Sequence, residues 1–235
     1  MNRLLLLLFS LILFCEGNAQ TRVVLNPSVA EQSHWEMSID KIKFYPDSTV
    51  IELTIINNLP EGGWFCIDSN TYIEDAKGLA RKRVYNAHGI SWCPQVYRFQ
   101  QVGETLQISL VFPEMAVQTE VINLIEQCER ACFSFRGIIL DDKLNNDIRL
   151  FDEAMNFYVS NKLDQAIELF MNIIEDIPAN PTHVYGYSYY HLVQIYLNKG
   201  DKKTAHFWFE QLERSGLPNR QYYLDAIRQV LESKN

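Results

Sequence analysis

The side chains that could do chemistry in this sequence are five histidines, four cysteines beyond residue 20 and a few paired carboxylates. His34, His88, His183, His191 and His206 stand in no HExxH context, and no GxSxG or P-loop spacing occurs. Asp68-Ser69 has no neighbouring histidine and reads as a capped turn, not a nucleophile. Cys93 and His88 could be drawn as a thiol–imidazole pair, but a strand would point them to opposite faces. His206 lies beside Phe207-Trp208-Phe209 and is expected to pack. Glu74-Asp75 and Asp141-Asp142 are adjacent carboxylates in turns, so they suit surface or capping roles better than a glycosidase pair. Arg81-Lys82-Arg83 is a basic cluster that reads as a solvated hairpin face, with an anionic or cell-wall ligand as the other reading. No catalytic residue, metal site or cofactor is therefore expected.

The cysteines point elsewhere. Cys66, Cys93, Cys128 and Cys132 form an even set, which in an exported chain suggests disulfides. Cys128–Cys132 is the favoured pair, because Glu129-Arg130-Ala131 could form a tight loop between two strands; Cys66–Cys93 then remains. A four-cysteine zinc site and free buried thiols are the competing readings.

Residues 1–19 read as a signal peptide. Arg3 precedes the apolar run Leu4–Phe14, and Gly17-Asn18-Ala19 offers small residues for cleavage before Gln20. Cys15 raises lipidation, although bulky Phe14 stands before it. No later stretch is apolar enough to span a bilayer, so a soluble periplasmic or secreted protein is expected, without stable membrane insertion. A net charge of −8 excludes a non-specific nucleic-acid binder, and 47% hydrophobic content in 235 residues excludes a largely disordered chain.

Two periodicities divide the remainder into residues 20–141 and 142–235. The first carries about eight short strands: Trp35 to Phe44, Thr49 to Ile56, Trp64 to Ile67, Thr71 to Glu74, Arg83 to Ala87, Thr105 to Phe112, Val121 to Ile125 and Cys132 to Leu140. Glycine and proline punctuate most gaps, which predicts an antiparallel β-sandwich. Trp64-Phe65, Tyr72-Ile73, Phe112-Pro113, Leu124-Ile125-Glu126 and Cys132-Phe133 resemble a β-domain of unassigned activity in exported proteins of Bacteroidetes. The second region is helical. Asp147 is expected to cap a helix running to about Ser160, followed by helices over Leu163–Asp176, Val184–Asn198, Lys203–Arg214 and Asn219–Glu232.

Ala166, Phe170 and Ile173 recur as Ala205, Phe209 and Leu212, an internal repeat. Together with Leu150, Ala154, Phe157, Pro178, Tyr189, Leu192, Tyr196, Gly200 and Pro218, these residues resemble the tetratricopeptide-repeat (TPR) family. The offset between the two alanines is longer than the usual ~34, so an insertion is expected around Pro178–Tyr185. The fold class expected is thus α+β in two domains, a β-sandwich followed by a TPR-like solenoid of two helix pairs plus a capping helix. The resemblance implies a groove on the first helix of each pair, lined by Phe151, Met155, Tyr158, Tyr187, Tyr190, Gln194 and Asn198. It also implies a peptide or protein partner in the cell envelope. Burial of the same residues against the β-domain or the fifth helix is the competing reading. A carbohydrate-binding module or enzyme, with its site around Trp64, Trp92 and Arg81–Arg83, is the alternative function; both tryptophans are expected in the core.

Overall fold

The structure, a computed structural model, describes residues 22–116 and 118–233. The signal peptide, Cys15 and the cleavage point before Gln20 lie outside the described residues. Among the described residues twelve strands precede five helices. The longest strands are β3 (Met37–Phe44), β4 (Ser48–Ile56) and β10 (Thr105–Pro113). Their strict alternation drives one face inward: Ile51, Leu53 and Ile55 of β4 pair with Leu110, Ile108 and Leu106 of β10, and all are buried.

With β1 (Arg22–Leu25) and β8 (Asn86–His88), these strands form one five-stranded sheet, ordered β1-β3-β4-β10-β8. A second sheet is built from β2 (Val29–Gln32), β12 (Ser134–Ile139), β11 (Val121–Ile125), β6 (Tyr72–Asp75) and β7 (Lys82–Arg83), in that order. A short ladder joins β5 (Trp64–Phe65) to β9 (Tyr97–Arg98). All strand pairings are antiparallel, and both large sheets feed one hydrophobic cluster.

Both expected cysteine pairs are disulfides. Cys128–Cys132 closes the β11–β12 loop, and Cys66–Cys93 lies beside an isolated bridge between Ile67 and Trp92. Among the described residues no helix is long and apolar enough to cross a membrane.

The strand β12 is interrupted by a bulge at Arg136-Gly137 opposite Asn123. Gly137 has φ of +64°, and a Cβ there would lie 2.8 Å from the Ala30 methyl, so glycine is required. Beyond the bulge, Ile138 and Leu140 enter the β core while Ile139 packs on the helical cluster. The strand thus contributes to both cores at once.

Helix α1 (Asp142–Val159) starts almost immediately afterwards. This corrects the sequence expectation: Asp141, not Asp147, is the N-cap, its carboxylate accepting the Leu144 N–H at 2.8 Å. Asp147 is buried inside the helix and accepts the Tyr185 hydroxyl at 2.6 Å and the Lys143 ammonium at 3.0 Å. No free linker separates the halves. The Asn145 side chain, 2% exposed, accepts the Ser28 N–H at 2.7 Å and donates to the Ile139 carbonyl at 2.9 Å.

Helices α2 (Leu163–Glu175), α3 (His183–Asn198), α4 (Lys202–Arg214) and α5 (Arg220–Ser233) follow. The turns α1–α2 and α3–α4 repeat bond for bond. Lys162 N–H donates to Phe157 O at 2.9 Å, as Asp201 N–H does to Tyr196 O; Asn161 and Gly200 both have positive φ. Ala166 and Ala205 are fully buried after these turns, where a larger side chain would hold the helices apart.

Asn145→Ala should leave the Ser28 N–H and the Ile139 carbonyl unpaired beneath the junction. The expected loss is about 2–4 kcal/mol, read from denaturant unfolding of the chain. A change within a few tenths of a kcal/mol would mean that the clamp does not hold the halves together.

Candidate functional site

Helices α1, α3 and α5 bring their aromatic side chains to a shared face. On α1, Phe151, Met155 and Tyr158 are half-buried over the helical core; on α3, Tyr187, Tyr190 and Gln194 are too. Gln194 ties the first two helices together: its amide donates to the Tyr190 hydroxyl at 2.9 Å, and its carbonyl lies 3.5 Å from the Tyr158 hydroxyl. Tyr187 meets Tyr190 edge-on at 6.4 Å and Tyr223 at 5.3 Å, while its hydroxyl lies 3.2 Å from that of Tyr222. Asn198 sits exposed at the end of α3.

The expected set is therefore largely gathered on neighbouring helices, and the ring partners of Tyr187 and Tyr190 are helical. Tyr187 does pack on the fifth helix, so that half of the burial reading holds for it. The sequence expectation omitted three members of the face. Tyr222 and Tyr223 extend it onto α5, with Tyr222 60% exposed and Tyr223 buried. Their adjacency in a helix was the available signal, since one of two neighbouring residues must lie closer to solvent. The third is His191, beneath the face. Its ring stacks on Phe170 at 5.3 Å and lies within about the same distance of Tyr158 (5.2 Å) and Tyr190 (5.3 Å).

The α3–α5 contact is set by Gly186. A Cβ at this position would fall 2.2 Å from the Tyr223 ring, so only glycine lets the tyrosine approach α3 this closely. On the far side of the helical layer, His206 is exposed and Phe207 is 49% exposed, which corrects the expectation that His206 packs.

Elsewhere the candidate chemistry is used structurally. Cys93 is in a disulfide and holds no thiol for His88. Arg81 stacks 3.9 Å over Tyr72 and pairs with Glu74 at 3.2 Å, so the basic cluster is only partly a solvated face. Trp64 is 50% exposed, contrary to the expected core position, while Trp92 packs partly against the β core. Among the described residues no group of three or more His, Cys, Asp or Glu is arranged to hold a metal ion.

His191 makes the helical half sensitive to acid. Burial lowers its pKa to about 4, and the buried Nδ1 has no hydrogen-bond partner. In the interval from about 6.5 down to 4 the unfolded chain binds the proton more readily than the folded one, so stability falls as pH falls. The loss should approach about 3 kcal/mol by pH 4, and His191→Phe should flatten this part of the profile. An unchanged pH slope in that variant would remove His191 as the cause. Separately, Gly186→Ala should cost about 1–3 kcal/mol through overpacking against Tyr223. It should also increase amide exchange in α5 before the rest of the helices; uniform protection would show that α5 is not docked through this contact. No family model, curated protein or solved structure matches the chain, and the functional reading rests on this geometry.

Proposed function

We propose that the chain is an exported, non-enzymatic interaction protein whose helical half binds a segment of a protein partner in the cell envelope. In this reading the two five-stranded sheets are a β-sandwich. The helices are a TPR-like solenoid of two pairs, α1–α2 and α3–α4, with α5 as the cap. The two disulfides suit an oxidising compartment, in keeping with the signal-peptide-like N-terminus and a periplasmic or secreted location.

The observation that carries the reading is the uncharged aromatic track on α1, α3 and α5. Tyr158, Tyr190, Tyr187 and Tyr222 offer hydroxyls at the surface on rings already fixed by their neighbours. Such rings supply contact area with little further loss of side-chain freedom on binding. Gln194 keeps one amide hydrogen and one carbonyl lone pair beyond its bonds to Tyr190 and Tyr158, able to bond an extended backbone.

The carbohydrate-binding or enzymatic alternative has less support. The cavity beside Trp64 has neither Trp92 nor Arg81–Arg83 on its wall, and Arg81 is already engaged.

The test is retention of envelope proteins by the mature chain and by Met155→Ala/Tyr190→Ala. Both positions are partly open, so the variant should keep its helical circular dichroism while affinity falls about thirtyfold or more, as expected for loss of an anchor contributing about 2 kcal/mol. Equal retention by the variant, or a partner held by an Arg130→Ala-sensitive surface instead, would defeat the proposal.

A further inference from the structure

The β half contains a half-open pocket independent of the helical face. Its cavity volume is about 290 Å³. Met37, Ile55, Phe65, Phe99 and Phe133 form apolar walls, and the half-exposed Leu59 and Trp64 stand at the mouth.

The pocket is held in shape before any ligand arrives. Cys66 and Cys93 of one disulfide and Cys128 of the other lie on its wall. The buried Asn57 side chain donates to Leu59 O at 3.0 Å and Gln101 O at 2.7 Å, and accepts the Leu59 N–H at 3.2 Å. Gly63 sits directly against that amide, where a Cβ would lie 2.4 Å from Asn57 Oδ1. A site fixed in this way loses little freedom when it is filled.

One buried ionisable group faces this apolar space. Glu126 is 7% exposed and lines the cavity. Its Oε1 accepts the Asp68 N–H at 2.9 Å and its Oε2 accepts the Phe133 N–H at 3.3 Å. Burial pushes the Glu126 carboxyl above the usual carboxylate range and the two backbone donors only partly offset this, so an added cationic donor would favour the charged form; each oxygen keeps a second acceptor position. Among the described residues no Lys, Arg or His is paired with it. Arg130 and His34 also line the pocket, but Arg130 is exposed and its charge is screened by solvent, whereas that of Glu126 is not. Glu36 adds a further negative charge to the wall.

We propose that this pocket binds a small primary amine with an aromatic body, the ring lying between the apolar walls and the ammonium donating to Glu126. The volume fits: a cavity of about 150 Å³ accommodates benzene, so one near twice that size takes a ring and a short arm. The charge fits as well, because a cation satisfies the remaining lone pairs of a carboxylate that would otherwise face hydrocarbon. This site is separate from the helical face and does not depend on the function proposed for it.

The mature, disulfide-bonded chain should be titrated with phenethylamine, 2-phenylethanol and 3-phenylpropionate, followed by NMR of the Trp64 indole and the Met37 and Ile55 methyls. The amine should bind at least about tenfold more tightly than the alcohol, and the carboxylate not measurably. Glu126→Gln should abolish the preference for amine over alcohol. Trp64→Ala should weaken both and leave their ratio unchanged. If Glu126→Gln does not fold, the Glu126 carboxyl carbon resonance of the unaltered protein serves instead: it should move with amine and stay with alcohol. Equal binding of the three probes, no perturbation of these signals, or an immobile Glu126 resonance would each overturn the proposal and leave Glu126 as a tether for the Asp68 and Phe133 backbones.

Discussion

The join between the two halves is centred on the side-chain amide of Asn145. Asn145, one turn into α1, satisfies the Ser28 N–H on one side and the Ile139 carbonyl on the other. It stands where a strand has just ended and a helix has just begun, so its backbone neighbours would otherwise be left without partners in a buried place. Everything distal to it, including the direction in which α1 leaves the sheet, depends on that bond pair and on Ile139 turning toward the helices. Asp141 completes the join by capping α1 in the two-residue step, Leu140-Asp141, between β12 and the helix. A second tie, from Asn180 to Glu120 at 3.2 Å, links the α2–α3 loop back to the β half.

From that anchor the face is positioned by a short series of buried contacts. Tyr185 is fully buried and donates to Asp147, which fixes the beginning of α3 against the beginning of α1. Burial and the nearby Asp147 carboxylate both push the Tyr185 hydroxyl well above its ordinary pKa, so it remains a donor throughout the physiological range. Two residues later Tyr187 emerges on the face, and Gly186 between them admits Tyr223. Three consecutive residues of α3 therefore join it to α1, to α5 and to the shared surface, as the helical period of 3.6 residues requires.

The parts of the fold that were legible in the sequence are those with an uninterrupted period. β4 and β10 alternate without a break, and α2 and α4 bury matching residues, Ala166 with Ala205 and Ile173 with Leu212, so both were readable. The edge strand β2, Val-Ala-Glu-Gln, has one apolar branched residue and is held by its pairing with β12, which no local pattern records. The two-residue β9, Tyr97-Arg98, is likewise held by its pairing, here with β5. The early start of α1 was hidden because Asp147, a good capping residue in isolation, is instead the buried acceptor for a tyrosine far along the chain. The disulfide pairing was readable from loop length, but the half-exposed position of Trp64 was not. On the face, Tyr187 and Tyr190 follow from the TPR resemblance, which puts the groove on the first helix of each pair, and their spacing of three in the sequence sets them side by side. The contributions of His191, Tyr222 and Tyr223 depended on how α1, α3 and α5 meet, which spacing within one helix does not specify.

The pairing of β12 with β2 has a consequence for the order in which the chain can assemble. Phe135 lies opposite Gln32, so the sheet that begins near the N-terminus is completed only by residues more than a hundred positions later. A chain delivered from its N-terminus must therefore keep the edge of β2 unpaired until nearly the whole β half has emerged. The strand that finally covers it is the one that leads into α1. Closure over so long a loop is entropically slow, whereas the helices that follow are built from neighbours. Completion of the sheet and the first turn of the helical layer thus coincide at one point of the chain.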